Sequence, residues 1–165
     1  MKAPICSICL ASDMLCKACK ESLDSGKVTQ LEADISREIH LLSKKSKTLE
    51  NLELIKILDT QGAIIIVVPK GQAARLVGKG GVIAKQLSAK FKKRVKVVEK
   101  SESLREIIQS IIYPVPVLGL NVVYGKKREM TLVKVPKNAR LLVGREELRG
   151  LVQALSGKEI EVEGQ

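Results

Sequence analysis

Leu76-Val77-Gly78-Lys79-Gly80-Gly81-Val82 sets three glycines and a lysine between two segments of helical character. Glycine accepts positive φ and leaves no Cβ in the way, so backbone built from it can approach another backbone closely. Around this turn, residues 70–100 carry ten Lys or Arg (Lys70, Arg75, Lys79, Lys85, Lys90, Lys92, Lys93, Arg94, Lys96 and Lys100) against one acid, Glu99. The whole chain has 165 residues and a net charge of +11, so most of its positive excess lies in this segment. A flexible turn, backed by a helix start and ringed by cations, suits a phosphodiester backbone.

Outward from the turn, the pattern alternates between periods of two and of 3.6. Leu31, Ile35, Ile39 and Leu42 recur at helical spacing. Residues 52–58 form a strand candidate, and Asp59-Thr60-Gln61-Gly62 reads as a hairpin turn. Residues 63–68 are a β-branched strand closed by Pro69. A short helix is expected over 72–77 and a longer one over 82–91, with Ile83 and Leu87 on one face. Residues 94–99 alternate Val with charge and read as a third strand.

The same unit then recurs. Val68-Pro69-Lys70 reappears as Val135-Pro136-Lys137, and Leu76-Val77-Gly78 as Leu142-Val143-Gly144. Val95 and Val97 match Ile160 and Val162. The offset drifts from 67 to 66 to 65, which requires two single-residue deletions. Ser103-x-x-Glu106 suggests a capping box opening a helix with Leu104, Ile107, Ile108 and Ile111 on its apolar stripe, ended by Pro114. Strands are expected over 117–124 and 130–135, joined by the basic turn Gly125-Lys126-Lys127-Arg128. A short helix over 139–142, a longer one over 146–155 stopped by Gly157, and a last strand over 159–163 complete the copy.

The order in both copies is α-β-β-α-α-β. With the Gly78–Gly81 loop it resembles the type II KH domain, and the duplication resembles the tandem KH domains of archaeal NusA-like transcription factors. The resemblance covers residues 23–163. It implies an α+β fold of two tandem type II KH units after a small zinc-binding arm, with domains at 1–22, 23–100 and 101–165. It also implies that the loop clamps about four nucleotides of single-stranded RNA. Gly78, Lys79, Gly80 and Gly81 would form the clamp, with Arg75, Lys85, Lys92, Lys93 and Arg94 as the cationic surround. Val77 and Val82, with Ile83, would line the groove floor. For Val82 and Ile83, core packing is an equally open reading.

The second loop differs. Gly144-Arg145-Glu146-Glu147 puts two carboxylates where the first copy has glycines, and residues 136–165 carry five basic and five acidic residues. Acids at a helix start suit the helix dipole but repel phosphate. A degenerate loop that binds RNA weakly or not at all is expected there, with a structural or protein-contact role. Lys126, Lys127 and Arg128 offer a lateral RNA contact, or simply a solvated turn.

Aromatic content narrows the mode of binding. Phe91, Tyr113 and Tyr124 are the only aromatic residues, and there is no Trp. No stacking platform of the RRM or OB type can be assembled from three scattered rings. Backbone amides, aliphatic contacts and Lys or Arg must do the recognition.

All four cysteines fall at Cys6-x2-Cys9-x6-Cys16-x2-Cys19. Two CxxC pairs present four thiolates tetrahedrally, the pattern of structural Zn2+. Two disulfides, a redox CxxC and an iron–sulfur cluster are the alternatives. The redox motif lacks its strand-to-helix setting, and the spacing differs from ferredoxin runs. The expected task of the metal is to order an arm too short for its own core. Lys2, Lys17 and Lys20 are further candidate phosphate contacts.

Several functions fit poorly. A Walker loop needs Ser or Thr after the lysine, but Gly80 follows Lys79. A dinucleotide fingerprint needs a third glycine at position 83, which is Ile. The lone His40 lies on an amphipathic helix, so no catalytic role is assigned and no enzyme is expected. No helix-turn-helix with base-reading side chains stands out. Neither a signal peptide nor an apolar stretch of about 20 residues is present, so a cytoplasmic protein without membrane contact is expected. The competing function is a protein-assembly factor, with RNA polymerase or ribosomal components as partners and the KH folds as scaffold.

Overall fold

The computed structural model describes residues 1–125 and 129–164. The expected basic turn at Lys126, Lys127 and Arg128 lies outside the described residues. The chain is mixed α+β and divides into two compact units, one of Met1–Asp59 with Ile64–Glu99, the other of Thr60–Ala63 with Lys100–Gln165.

The first unit begins with α1 (Ser7–Ala11) and α2 (Lys17–Asp24), followed by the long α3 (Gln30–Lys45). Helix α3 starts at a capping box that the sequence reading passed over. The Thr29 hydroxyl accepts from the Glu32 N–H, and the Glu32 carboxylate accepts from the Thr29 N–H at 2.7 Å. The same buried carboxylate accepts from Ile57 N–H at 3.3 Å, tying the helix start to the sheet. Its charge is held by backbone donors, as a buried carboxylate requires.

Strands β1 (Lys56–Asp59) and β2 (Ala63–Val68) form an antiparallel hairpin, followed by α4 (Ala73–Val77), α5 (Val82–Phe91) and β3 (Arg94–Glu99). The sheet order is β1-β2-β3. Central β2 is buried at all six positions, which is why it reads as a continuous apolar run rather than an alternation. Strand β1 is shorter than expected because residues 52–54 bond elsewhere: Lys2 N–H donates to the Leu52 carbonyl at 2.9 Å, and Leu54 N–H to the Lys2 carbonyl at 2.8 Å. The core joins Ile35 and Ile39 of α3, Ile64, Ile66 and Val68 of β2, Leu76, Leu87 and Val95.

The second unit contains α6 (Leu104–Ile112), β4 (Gly119–Tyr124), β5 (Glu129–Val135), α7 (Arg145–Ser156) and β6 (Ile160–Gly164). Strand β4 pairs antiparallel with β5, and β5 pairs parallel with β6, giving the order β4-β5-β6. Gly157 ends α7 in the left-handed conformation, φ +71°.

Two expectations fail here. The short helix over 139–142 is absent: the chain makes a turn closed by Ala139 N–H on the Pro136 carbonyl at 3.0 Å. One of the two deletions separating the copies falls between the Val-Pro-Lys and Leu-Val-Gly matches, so this segment is one residue shorter than the one that forms α4. The Ser103 capping box also does not form, since the Ser103 side chain makes no cap bond. Ser101 replaces it, its hydroxyl donating to the Glu106 carboxylate and accepting from Ser103 N–H at 3.1 Å.

Candidate nucleic-acid interface

The turn between α4 and α5 is built from left-handed backbone. Gly78, Gly80 and Gly81 have φ of +76°, +64° and +76°. At Gly80 and Gly81, in the left-handed α region, an L-residue costs about 1–2 kcal/mol, and Gly78, with ψ 166°, lies where essentially only glycine is found. At Gly78 there is a second demand, because a Cβ would lie 3.0 Å from the Ile83 side chain. At Gly80 a Cβ would meet nothing within 4 Å, so the turn is open on that side. Gly81 is the N-cap of α5 and offers no side chain to its N–H groups. Such an uncapped start favours an anion.

Lys79 and Gly80 are exposed. Lys85 is exposed too, and its Cε lies 3.9 Å from the Cβ position of Gly81, so its stem runs back across the turn. Lys79 within the turn and Lys85 one turn into α5 are thus both exposed near one helix start. Lys92 and Arg94 are exposed beyond the far end of α5, Lys92 with a left-handed backbone of φ +53°.

Two of the expected cations are engaged within the protein. Arg75 Nε donates to the Thr48 carbonyl at 2.8 Å, and its second nitrogen donates to the Glu50 carbonyl. Lys93 pairs with Asp59 at 2.6 Å. Glu99, the single acid of the basic segment, accepts from Ala73 N–H at 3.1 Å and so caps α4. It stands at the other end of that short helix from the turn. Burial, followed by the nearby Arg94, lowers Lys96 to about 8.

Val77 is half-buried, and Val82 is 54% exposed on the first turn of α5. Ile83 packs against the core instead. The structure thus separates two residues that sequence spacing left equivalent.

The second turn has a different occupant. Glu147 Oε2 accepts from Gly144 N–H at 3.1 Å, so a carboxylate of the chain itself caps the start of α7. Glu146 pairs with Arg149 at 3.4 Å.

The four cysteine sulfurs lie within 4.8 Å of one another, and all four thiols are free. Cys6 Sγ is 3.4 Å from Cys9 Sγ and 3.9 Å from Cys16 Sγ. Sulfurs about 2.3 Å from a tetrahedral ion stand about 3.8 Å apart, whereas a disulfide needs about 2.05 Å. Cys16 N–H donates to Cys9 Sγ at 3.0 Å and Cys6 N–H to Cys19 Sγ at 3.5 Å, bonds that favour thiolate but are outweighed by burial and the neighbouring thiols, which raise both Cys9 and Cys19. The Cys9 backbone N–H is the main cause that lowers Cys6 to about 7. The donor set fits a four-thiolate metal site.

The arm docks on α3. Ile5, Cys9, Leu10, Cys19 and Val28 pack with Ala33 of that helix. Arg37 Nε donates to the Cys9 carbonyl at 3.0 Å. Nothing in the spacing of Arg37 signals this contact, which spans 28 residues. Burial is the largest effect lowering the His40 pKa, followed by the nearby Lys44. Among the described residues, no helix is long and apolar enough to cross a membrane.

An α+β unit whose helix opens on an uncapped turn of left-handed glycines defines the class to which this fold and site belong. The KH-domain model KH_2 matches residues 38–140, more than half of the chain, and the chain belongs to the KH-domain family. It is 28% identical over 109 residues to "Probable transcription termination protein NusA" of Methanocaldococcus jannaschii, covering 64% of this chain and 60% of that protein. It is 36% identical over 52 residues to the protein of the same name from Methanococcus vannielii, covering 32% and 30%. The chain thus spans less than two thirds of the length of these curated relatives. The crystal structure of APE1850 superposes with a TM-score of 0.55 at 21% identity, covering 77% of this chain and 96% of that one. That likeness concerns the fold.

Proposed function

We propose that this protein binds single-stranded RNA through the glycine turn of its first unit. One observation carries the reading: Gly78, Gly80 and Gly81 hold left-handed backbone open at the uncapped start of α5, beside exposed Lys79. A phosphate seated there meets helix N–H groups, the Lys79 ammonium and the back-folded Lys85. Val77 and Val82 supply the aliphatic floor for bases, and Lys92 and Arg94 extend the cationic surface. Arg75 and Lys93 contribute mainly by holding the surrounding loops. The role is binding rather than catalysis.

The two units are read as tandem type II KH domains at 23–100 and 101–165. The second does not clamp RNA through its loop, because Glu147 already fills the anion position with its own carboxylate. The arm over 1–22 holds Zn2+ on Cys6, Cys9, Cys16 and Cys19, in keeping with the spacing of their sulfurs. Zinc would supply a cross-link that fixes the arm, with no part in chemistry. The name borne by the two archaeal relatives favours transcription termination or elongation as the setting.

The competing reading is an assembly factor that contacts RNA polymerase or ribosomal components through KH scaffolds. Binding of a randomised single-stranded RNA pool by wild type and Gly80→Asp, both shown folded, separates the two. RNA binding predicts retention by wild type and loss in the variant, whose carboxylate stands in the phosphate path. Equal binding by both would remove the loop from the account.

A further inference from the structure

We propose that the outer edge of β4 is a self-association surface, on which a second copy of this chain adds its own β4 across a two-fold axis. The inference goes beyond RNA binding and does not rest on it. Strand β4 stands at the end of the order β4-β5-β6, and among the described residues no further strand pairs with it. Free edges are usually guarded by lysine, proline or a bulge. Gly119-Leu120-Asn121-Val122-Val123-Tyr124 contains no charge and no proline. Among the described residues the only other uncharged strand is β2, and β2 is buried throughout.

The exposure of β4 identifies the shape of what covers it. Val122 is 46% exposed, Val123 41% and Tyr124 81%. In the register with β5, Val122 stands opposite buried Thr131, whereas Val123 stands opposite Met130 on the other face. Apolar side chains are therefore exposed on both faces of one strand. A helix laid on the sheet would cover one face only. An added strand lies edge-on, pairs with the free backbone groups and covers both.

The strand's own apolar pattern selects a second copy as the occupant, and its lack of charge permits one. A chain of net charge +11 repels itself except where its surface is uncharged, and β4 is such a place. Antiparallel pairing around a two-fold axis sets the Tyr124 end of β4 in one copy at the opposite end from that of the other. Pairing must match even-numbered residues with even-numbered ones to keep each face continuous. Val122 on the axis satisfies this, setting Val122 against its own copy and Leu120 against Tyr124 of the partner. Apolar and β-branched pairs of this kind favour pairing.

The test is sedimentation equilibrium of nuclease-treated, reduced full chain over about 1–200 µM, where small interfaces associate. Val122→Lys, Val122→Glu and their equimolar mixture are compared, each checked for native circular dichroism. Wild type is expected to dimerise, and each variant alone to remain monomeric, because like charges meet on the axis. The mixture is expected to dimerise again, since the charges then oppose each other. A monomeric wild type over the whole range, or variants that dimerise as wild type does, would overturn the proposal. A mixture that stays monomeric would overturn the two-fold pairing.

Discussion

Arg75 Nε lies 2.8 Å from the Thr48 carbonyl oxygen, so a cation of the basic segment works as a brace for the turn after α3. Its planar fork also reaches the Glu50 carbonyl, a geometry lysine cannot reproduce. Arg75→Lys keeps the charge and is expected to destabilise the fold by about 1.5–3 kcal/mol, the range for bonds to charged groups. RNA affinity measured well below the melting temperature should be nearly unchanged. Urea unfolding together with fluorescence anisotropy checks both, and a large affinity loss without destabilisation would restore Arg75 to the RNA contact.

Lys79 is expected to behave in the opposite way. It is exposed, so Lys79→Ala should leave stability within about 0.5 kcal/mol. It should flatten the plot of log affinity against log salt by about 0.7, the value for one lost phosphate contact on a single strand. Titrations at several salt concentrations measure the slope. An unchanged slope would mean that Lys79 points at solvent.

Glu147 gives a prediction for the second unit. Its carboxylate caps α7 through Gly144 N–H. Glu147→Ala should cost about 0.5–2 kcal/mol, as loss of a cap does. The affinity for single-stranded RNA should stay within about twofold, less than 0.5 kcal/mol, because Glu146 still repels phosphate. A marked gain in affinity would show that one carboxylate alone closes the second loop.

Metal removal should act on the first unit. The arm shares a small core with Ala33 and bonds to Arg37. Elemental analysis is expected to find one zinc per chain, and a chelator should lower the melting temperature and expose α3 amides near Arg37 to hydrogen exchange. Cys9→Ser should reproduce both effects. A melting curve and exchange pattern indifferent to the chelator would leave the arm without a metal.

Much of this was legible in the residues, and the misses share a cause. Strands β2 and β3 and helix α5 fall where periodicity placed them, because each has a dense local pattern and clear stops at Pro69, Gly81 and Glu99. The glycine turn was equally readable, since positive φ needs glycine whatever surrounds it. The contacts that engage Arg75, Lys93 and Glu99 within the protein span 25 to 34 residues, and no local spacing announces them. The short helix expected over 139–142 was borrowed from the first copy, where one more residue is available. At the capping boxes the signal was present twice, at Thr29 and Ser103, and only the first forms. A serine two residues upstream of Ser103 was able to take its place.

The position of the cysteines has a consequence for the order of synthesis. All four lie within fourteen residues, whereas the surface that receives the arm comes from α3 and from Leu52 and Leu54. Closing a loop of about ten residues takes only about 10–100 ns, far less than the time to translate one codon. The thiols can therefore gather while the receiving helix is still inside the ribosome, and the nascent arm waits as a finished part for the domain that will seat it.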